Sequence, residues 1–208
     1  FRPSDPHFML WPARQVMCGA TMPVDGPTWS PYYRTRFRRR TGLLLYRELQ
    51  NTMPHTLPYR PCVGMMLVNM DGLVFVGQRL DSKVEAWQMP QGGIDDGEDP
   101  RDTAYRELAE ETGIAADLVS IIAQSKDEHY YDLPDELIGQ IWGGKYRGQR
   151  QTWFLMRFHG TDSDVNIATH HQEFRDWRWI KPEDLPEMIV PFKKKLYRDI
   201  LSEFAQLI

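Results

Sequence analysis

The sequence predicts a layered domain of mixed α and β structure, α+β or α/β, and three observations lead there. Short β-rich runs stand on both sides of a strongly signalled helix, an amphipathic helix closes the chain, and the composition is that of a water-soluble globule. The chain has 208 residues, 41% of them hydrophobic. It contains no apolar run near membrane-spanning length. A chain of this size buries about two-thirds of its unfolded surface, enough for one well-packed core.

The front of the chain differs from the rest. Residues 1–52 carry eight arginines and three acidic residues, a net charge of +5, and the remainder carries 17 basic and 26 acidic residues, a net charge of −9. "RTRFRRR" at 34–40 is compatible with an organelle-targeting segment or a nucleic-acid patch. The absence of sustained periodicity, apart from "LLLYRELQ" at 43–50, favours a poorly ordered basic extension, with the domain running from Met53 to the end. Cys18 and Cys62 stand far apart, outside any disulfide framework or zinc spacing, and Cys62 reads as core packing in a reducing compartment.

From Pro61 the pattern becomes regular. "CVGMMLVN" and "LVFVGQRL", separated by "MDG", predict a hairpin over about 62–80. "LVSIIAQS", "QTWFLMRF" and "DWRWIK" are further strands. In "PFKKKLYRDILSEFAQLI", Phe192, Leu196, Ile200 and Phe204 recur at four-residue steps, with Tyr197 and Leu201 beside them, which makes an amphipathic closing helix. Trp87, Trp153, Trp177 and Trp179 read as packing residues.

The segment "QGGIDDGEDPRDTAYRELAEETGI", 91–114, carries the chemistry. Asp99 before Pro100 is an N-cap and first-turn pair, and Gly113 is a stop, so a helix spans about 100–112. Ala104, Tyr105 and Leu108 share one side, while Glu107, Glu110 and Glu111 project together from another. An exposed Glu-rich face costs little. In a cleft, two carboxylates ~4 Å apart would repel by ~4 kcal/mol at an effective dielectric near 20 and call for a cation. All-oxygen ligands favour magnesium or manganese over zinc. Spacing alone does not choose between the wet face and the metal face.

The choice comes from a resemblance. Gly92, Glu98 and Arg106 to Ile114, "RELAEETGI", match the Nudix box at every required position. Seven fixed identities at roughly one in fifteen each give a chance match on the order of one in a hundred million. "YRPCVGMML", "WQMPQGGID", "GQRQTWFL", "EFRDWRWI" and "VPFKKKLYRDI" extend the resemblance over about 57–208, towards bacterial RNA 5′-pyrophosphohydrolases and dinucleoside polyphosphate hydrolases. It implies an α/β/α Nudix sandwich around a mixed sheet, with the box as a catalytic loop, helix and loop.

The same resemblance implies a hydrolase of phosphoric anhydride bonds using Mg2+ or Mn2+. Glu107, Glu110 and Glu111, with the Gly92 carbonyl and Glu173, are its implied metal ligands. Glu107 is the implied base and Glu173 the competing one. Glu98 and Arg106 lock the loop to the helix. Arg79, Tyr131, Val190, Phe192 and Lys193 fall where the substrate's 5′ phosphates and neighbouring base are held. Read without the resemblance, Val190 and Phe192 are core residues and Lys193 to Lys195 a solvated run. Lys145, Arg147 and Arg150 are either phosphate partners or surface charge.

The expected partner is the 5′-phosphorylated end of an RNA or a dinucleoside polyphosphate, with no membrane, no obligate protein partner and a bacterial cytoplasmic location. The acidic body opposes binding along a nucleic-acid backbone and leaves recognition of one end. The other classes are a Nudix-fold binding module without turnover, against which the complete set of acids speaks, and an interaction protein using an acidic helix.

Overall fold

The computed structural model of the chain describes residues 57–81 and 85–208. The expected extension over 1–52 and the Met53 boundary lie outside the described residues. Among the described residues eight strands form one mixed sheet: β1 (Tyr59–Val68), β2 (Val74–Arg79), β3 (Trp87–Gln88), β4 (Gln91–Gly93), β5 (Val119–Gln124), β6 (His129–Asp132), β7 (Gly148–Phe158) and β8 (Phe174–Ile180). The central order is β3-β2-β1-β7-β5, with β4 on β1, β6 on β7 and β8 on β2. Strands β1 and β7 run parallel along their length, Tyr59 opposite Gly148 through Val68 opposite Arg157, and the remaining pairs are antiparallel.

Side chains of a strand alternate between faces, so a central strand buried on both sides feeds two cores. Val63, Met65 and Leu67 of β1 join Phe154, Met156 and Phe158 of β7 on one face, against Ala104 and Leu108 of helix α1 (Pro100–Thr112). Met66 and Val68, with Trp153 and Leu155, face the other way. They pack on Leu196, Tyr197, Ile200 and Phe204 of helix α3 (Lys194–Phe204) and on Leu185 of the short α2 (Leu185–Met188). The result is an α/β/α sandwich.

The predicted hairpin stands as β1 and β2, Val68 opposite Val74. Helix α1 has its expected ends. The Asp99 side chain accepts from the Arg101 N–H, and Gly113 takes the left-handed φ of 69° that only glycine adopts without cost, its N–H closing on Ala109. The closing helix is corrected at its start, since Phe192 lies ahead of it in a 3₁₀ turn, Pro191–Lys193, from which it packs, partly buried, against the core that Leu196, Tyr197, Ile200 and Phe204 fill. Strands β3, β4 and β6 are too short to show periodicity and were not predicted. Cys62 is buried as expected, which pushes its thiol up to about 12. Trp87 and Trp153 are buried, and Trp177 and Trp179 stack half-buried with Phe75 and Phe158. Among the described residues no helix is long and apolar enough to cross a membrane.

Candidate active site

Helix α1 presents its carboxylates to the loop that precedes it. Arg106 is the clamp: its Nε and one terminal nitrogen each donate to Glu98 at 2.7 Å, that terminal nitrogen also reaches the Gly93 carbonyl at 3.0 Å, and the other donates to Glu107 Oε1 at 2.8 Å. A bidentate guanidinium–carboxylate pair fixes geometry as well as charge. Loop, helix and Glu107 are thereby held in one piece, and the Arg106 pair holds the Glu98 carboxyl down at about 2. Gly92 lies against the Glu107 carboxylate, so close that a Cβ there would overlap it.

Glu111 is the most enclosed of the acids, 2% exposed. Its Oε2 accepts from the Gln91 N–H at 3.1 Å, and its Oε1 is buried with no hydrogen-bond partner. Burial, followed by the charges of Glu173 and Glu107, pushes this carboxyl well above the usual range, and burial also raises Glu107. A buried carboxylate oxygen with nothing to meet it is costly, and a cation is the partner that completes an all-oxygen set. The donor set therefore fits a hard divalent metal. Among the described residues no three His, Cys, Asp or Glu side chains are already gathered around one point. The acids are turned instead to internal partners: Glu107 to Arg106, Glu110 to Arg106 at 3.6 Å, and Glu173 to Arg79 at 3.1 Å.

The substrate-side residues expected from the sequence meet two of these acids, Glu107 and Glu173, in one cleft of about 1120 Å³, which Glu110 and Glu111 do not line. Gly92, Glu107 and Glu173 line it together with Arg79, Tyr131, Val190, Phe192 and Lys193. Arg79 makes a bidentate pair with Asp81, both contacts 2.7 Å, beside its contact to Glu173. Tyr131 and Phe192 are 5.7 Å apart between ring centroids.

Lys193 is not the solvated residue its neighbours suggest. It is 6% exposed, its Nζ lies 4.9 Å over the Tyr131 ring and donates to Gln91 Oε1 at 3.1 Å, and burial lowers it to about 8. Lys145, Arg147 and Arg150 do not line the cleft; Arg147 pairs with Asp132 and Arg150 with Glu128.

Sequence reasoning missed a chain of glutamines at the cleft, of which Gln91 and Gln149 line it. Trp153 Nε1 donates to Gln151 Oε1 (3.0 Å), and Gln151 Nε2 donates to Gln149 (2.8 Å) and to Gln91 (3.3 Å), which also receives Lys193. Gln91 thus joins the two halves of the site, its N–H on Glu111 and its side chain on Lys193. The strand period of "GQRQTWFL", which puts Gln149, Gln151 and Trp153 on one face, was the available signal.

With this geometry in hand, comparison with known proteins gives the family. The NUDIX domain model matches residues 58–200. The chain belongs to the Nudix family. Curated Nudix relatives include the RNA pyrophosphohydrolase of Sphingopyxis alaskensis, 65% identical over 152 residues that make up 73% of this chain and 96% of that protein. Another is the RNA pyrophosphohydrolase of Novosphingobium aromaticivorans, 63% identical over 154 residues, 73% of this chain and 96% of that protein. Solved structures with the same Nudix fold include the E. coli dihydroneopterin triphosphate pyrophosphohydrolase (TM-score 0.56, 16% identity, 70% of this chain and 98% of that one). The C. elegans Ap4A hydrolase binary complex is a second (TM-score 0.53, 21% identity, 71% and 99%). At those identities the likeness is one of fold. As a Nudix hydrolase the protein acts on phosphoric anhydride bonds, chemistry that in this family generally needs a divalent metal.

Proposed function

We propose that this Nudix hydrolase is an RNA pyrophosphohydrolase that removes pyrophosphate, or phosphate, from the 5′ end of tri- or diphosphorylated RNA in a bacterial cytoplasm. The relatives' high identity over nearly their whole length supports the reading. The observation that carries it is the single cleft uniting Glu107 and Glu173 with Arg79, Tyr131, Phe192 and Lys193.

Glu107, Glu110, Glu111, Glu173 and the Gly92 carbonyl are the residues that would hold Mg2+ or Mn2+. Bound there, the metal supplies charge neutralisation of the polyphosphate and makes a water easier to deprotonate. The chain's own residues do the rest. Lys193 and Arg79 grip phosphate oxygens; Phe192, Tyr131 and Val190 hold the neighbouring base by stacking and apolar contact. Glu107, its Oε1 fixed by Arg106, accepts the proton of the attacking water, with Glu173 the competing base. The water oxygen bonds to phosphorus and the anhydride bond to the departing pyrophosphate or phosphate breaks. Glu98 and Arg106 touch no reacting atom and act by orientation.

The second reading is dinucleoside polyphosphate hydrolysis, which the same cleft admits because it offers apolar surface beyond Phe192, from Leu133, Leu137, Ile141 and Trp142. Turnover of a 5′-triphosphorylated oligonucleotide and of diadenosine tetraphosphate, with product identification, separates the two. The RNA is expected to release pyrophosphate, and Glu107→Gln is expected to lose at least ~2 kcal/mol of transition-state stabilisation, about 30-fold in kcat/KM. Untouched RNA alongside a hydrolysed dinucleotide refutes the RNA reading. Near-wild-type turnover of folded Glu107→Gln refutes the base assignment.

A further inference from the structure

The cleft has a second wall that the reaction above does not use. Residues 134–146 form a loop whose ends are pinned by Leu133 N–H on the Arg147 carbonyl (2.8 Å) and Arg147 N–H on the Pro58 carbonyl (3.1 Å). Inside it, Leu137 N–H meets Pro134, Gln140 N–H meets Leu137 and Gly144 N–H meets Ile141, at 2.8, 3.1 and 3.0 Å. Leu137, Ile138, Ile141 and Trp142 pack on the α3-side core, so the loop is built rather than loose.

Trp142 is the residue that stands out. It is the one non-glycine at positive φ among the described residues, φ 51°, in a loop where Gly139, Gly143 and Gly144 also take positive φ. Glycine would hold that conformation without strain; a bulky aromatic does so at a cost that persists where the side chain is needed. The half-buried ring lines the cleft, and the Arg60 guanidinium lies 5.8 Å from its centroid. Arg79 and Arg106 are neutralised by carboxylates, whereas among the described residues the Arg60 guanidinium has no ion pair and no hydrogen-bond partner. The cleft of about 1120 Å³ exceeds the 300–1,000 Å³ common for one small ligand. Phe192 and Trp142 both line it.

We propose that Trp142, backed by Arg60, is a second base platform, which stacks the nucleobase adjacent in the RNA to the one held at Phe192. Arg60 positions the ring and turns its unpaired charge to the phosphate joining the two nucleosides. This rests on the RNA reading above and deepens it: the enzyme reads two consecutive bases at the 5′ end, and the loop over 134–146 sets preference at the second.

The test uses short 5′-triphosphorylated RNAs carrying one abasic residue at nucleotide one, two or three, with kcat/KM measured for wild type, Phe192→Ala, Trp142→Gly and Trp142→Phe. Loss of one base–aromatic stack is worth about five- to hundred-fold. In the wild type, abasic residues at two neighbouring positions are each expected to slow the reaction by that factor. Phe192→Ala removes the penalty at one position, Trp142→Gly removes it at the neighbour, and Trp142→Phe keeps both. Glycine suits the positive φ, so Trp142→Gly should stay folded by circular dichroism. If it does not, Trp142→Asn, which also tolerates that conformation, carries the same measurement.

Trp142→Gly retaining both penalties, or losing the same one as Phe192→Ala, overturns the proposal. So does a Trp142→Gly defect confined to diadenosine tetraphosphate, which would assign the platform to the second nucleoside of a dinucleotide. A wild type inert on every RNA refutes the proposed function itself, and this platform with it.

Discussion

Replacing Glu111 with Gln separates stability from function in opposite directions. Without metal, the wild type carries a carboxylate that is 2% exposed, has one hydrogen bond and leaves its Oε1 unpartnered. An incompletely compensated buried charge costs several kcal/mol, and an orphaned neutral amide about 1–3 kcal/mol. The variant keeps an oxygen for the Gln91 N–H. Metal-free Glu111→Gln is therefore expected to be more stable than metal-free wild type by on the order of 1 kcal/mol or more, about 2–4 °C in Tm.

The sign with pH follows from the raised carboxyl. The folded wild type holds this proton more tightly than the unfolded chain, so its stability falls as pH rises above the ordinary 4.5 towards the raised folded value, then levels. The variant lacks that fall, and its advantage in chelator should grow over the same window. Adding metal reverses the order. Saturation to 100 times the dissociation constant stabilises the wild type by about 2.7 kcal/mol, about 5–11 °C for a domain of this size, and should move the variant by far less. Thermal melts from pH 5 to 8.5, in chelator and in Mg2+ or Mn2+, measure all of this. A metal-free variant less stable than wild type that keeps the full metal shift would refute the reasoning, because Glu111 would then be neither strained nor a ligand.

Two further outcomes follow from the same geometry. Gly92→Ala places a methyl where the Glu107 carboxylate stands, without a positive-φ penalty; kcat/KM should fall about tenfold or more with Tm within about 3 °C, and unchanged activity would show that Glu107 has no fixed place. Lys193, lowered by burial to about 8, should lose its charge and its phosphate grip above that pH, raising KM there in wild type but not in an active Lys193→Arg; over pH 8 to 10.5 the unfolded chain binds the extra proton, so this group makes stability rise with pH.

Much of the fold was legible because its signals are local. Asp99, Pro100 and Gly113 terminate α1 through their own backbone and side-chain chemistry, and the β-rich runs of β1, β2, β5, β7 and β8 carry a composition that needs no partner to be seen. The grouping of Glu107, Glu110 and Glu111 on one face follows from helical spacing alone. Whether that face is wet does not, because desolvation depends on what distant segments lay over it. The enclosure of Glu111, the burial of Lys193 beneath Tyr131 and the joining of both through Gln91 bring together residues as much as 102 positions apart. The inward turn of Trp142, with Lys145, Arg147 and Arg150 left outside the cleft, is likewise a product of loop closure. Periodicity reports one element's faces; only the packed sheet decides which of those faces meet and how much water remains between them.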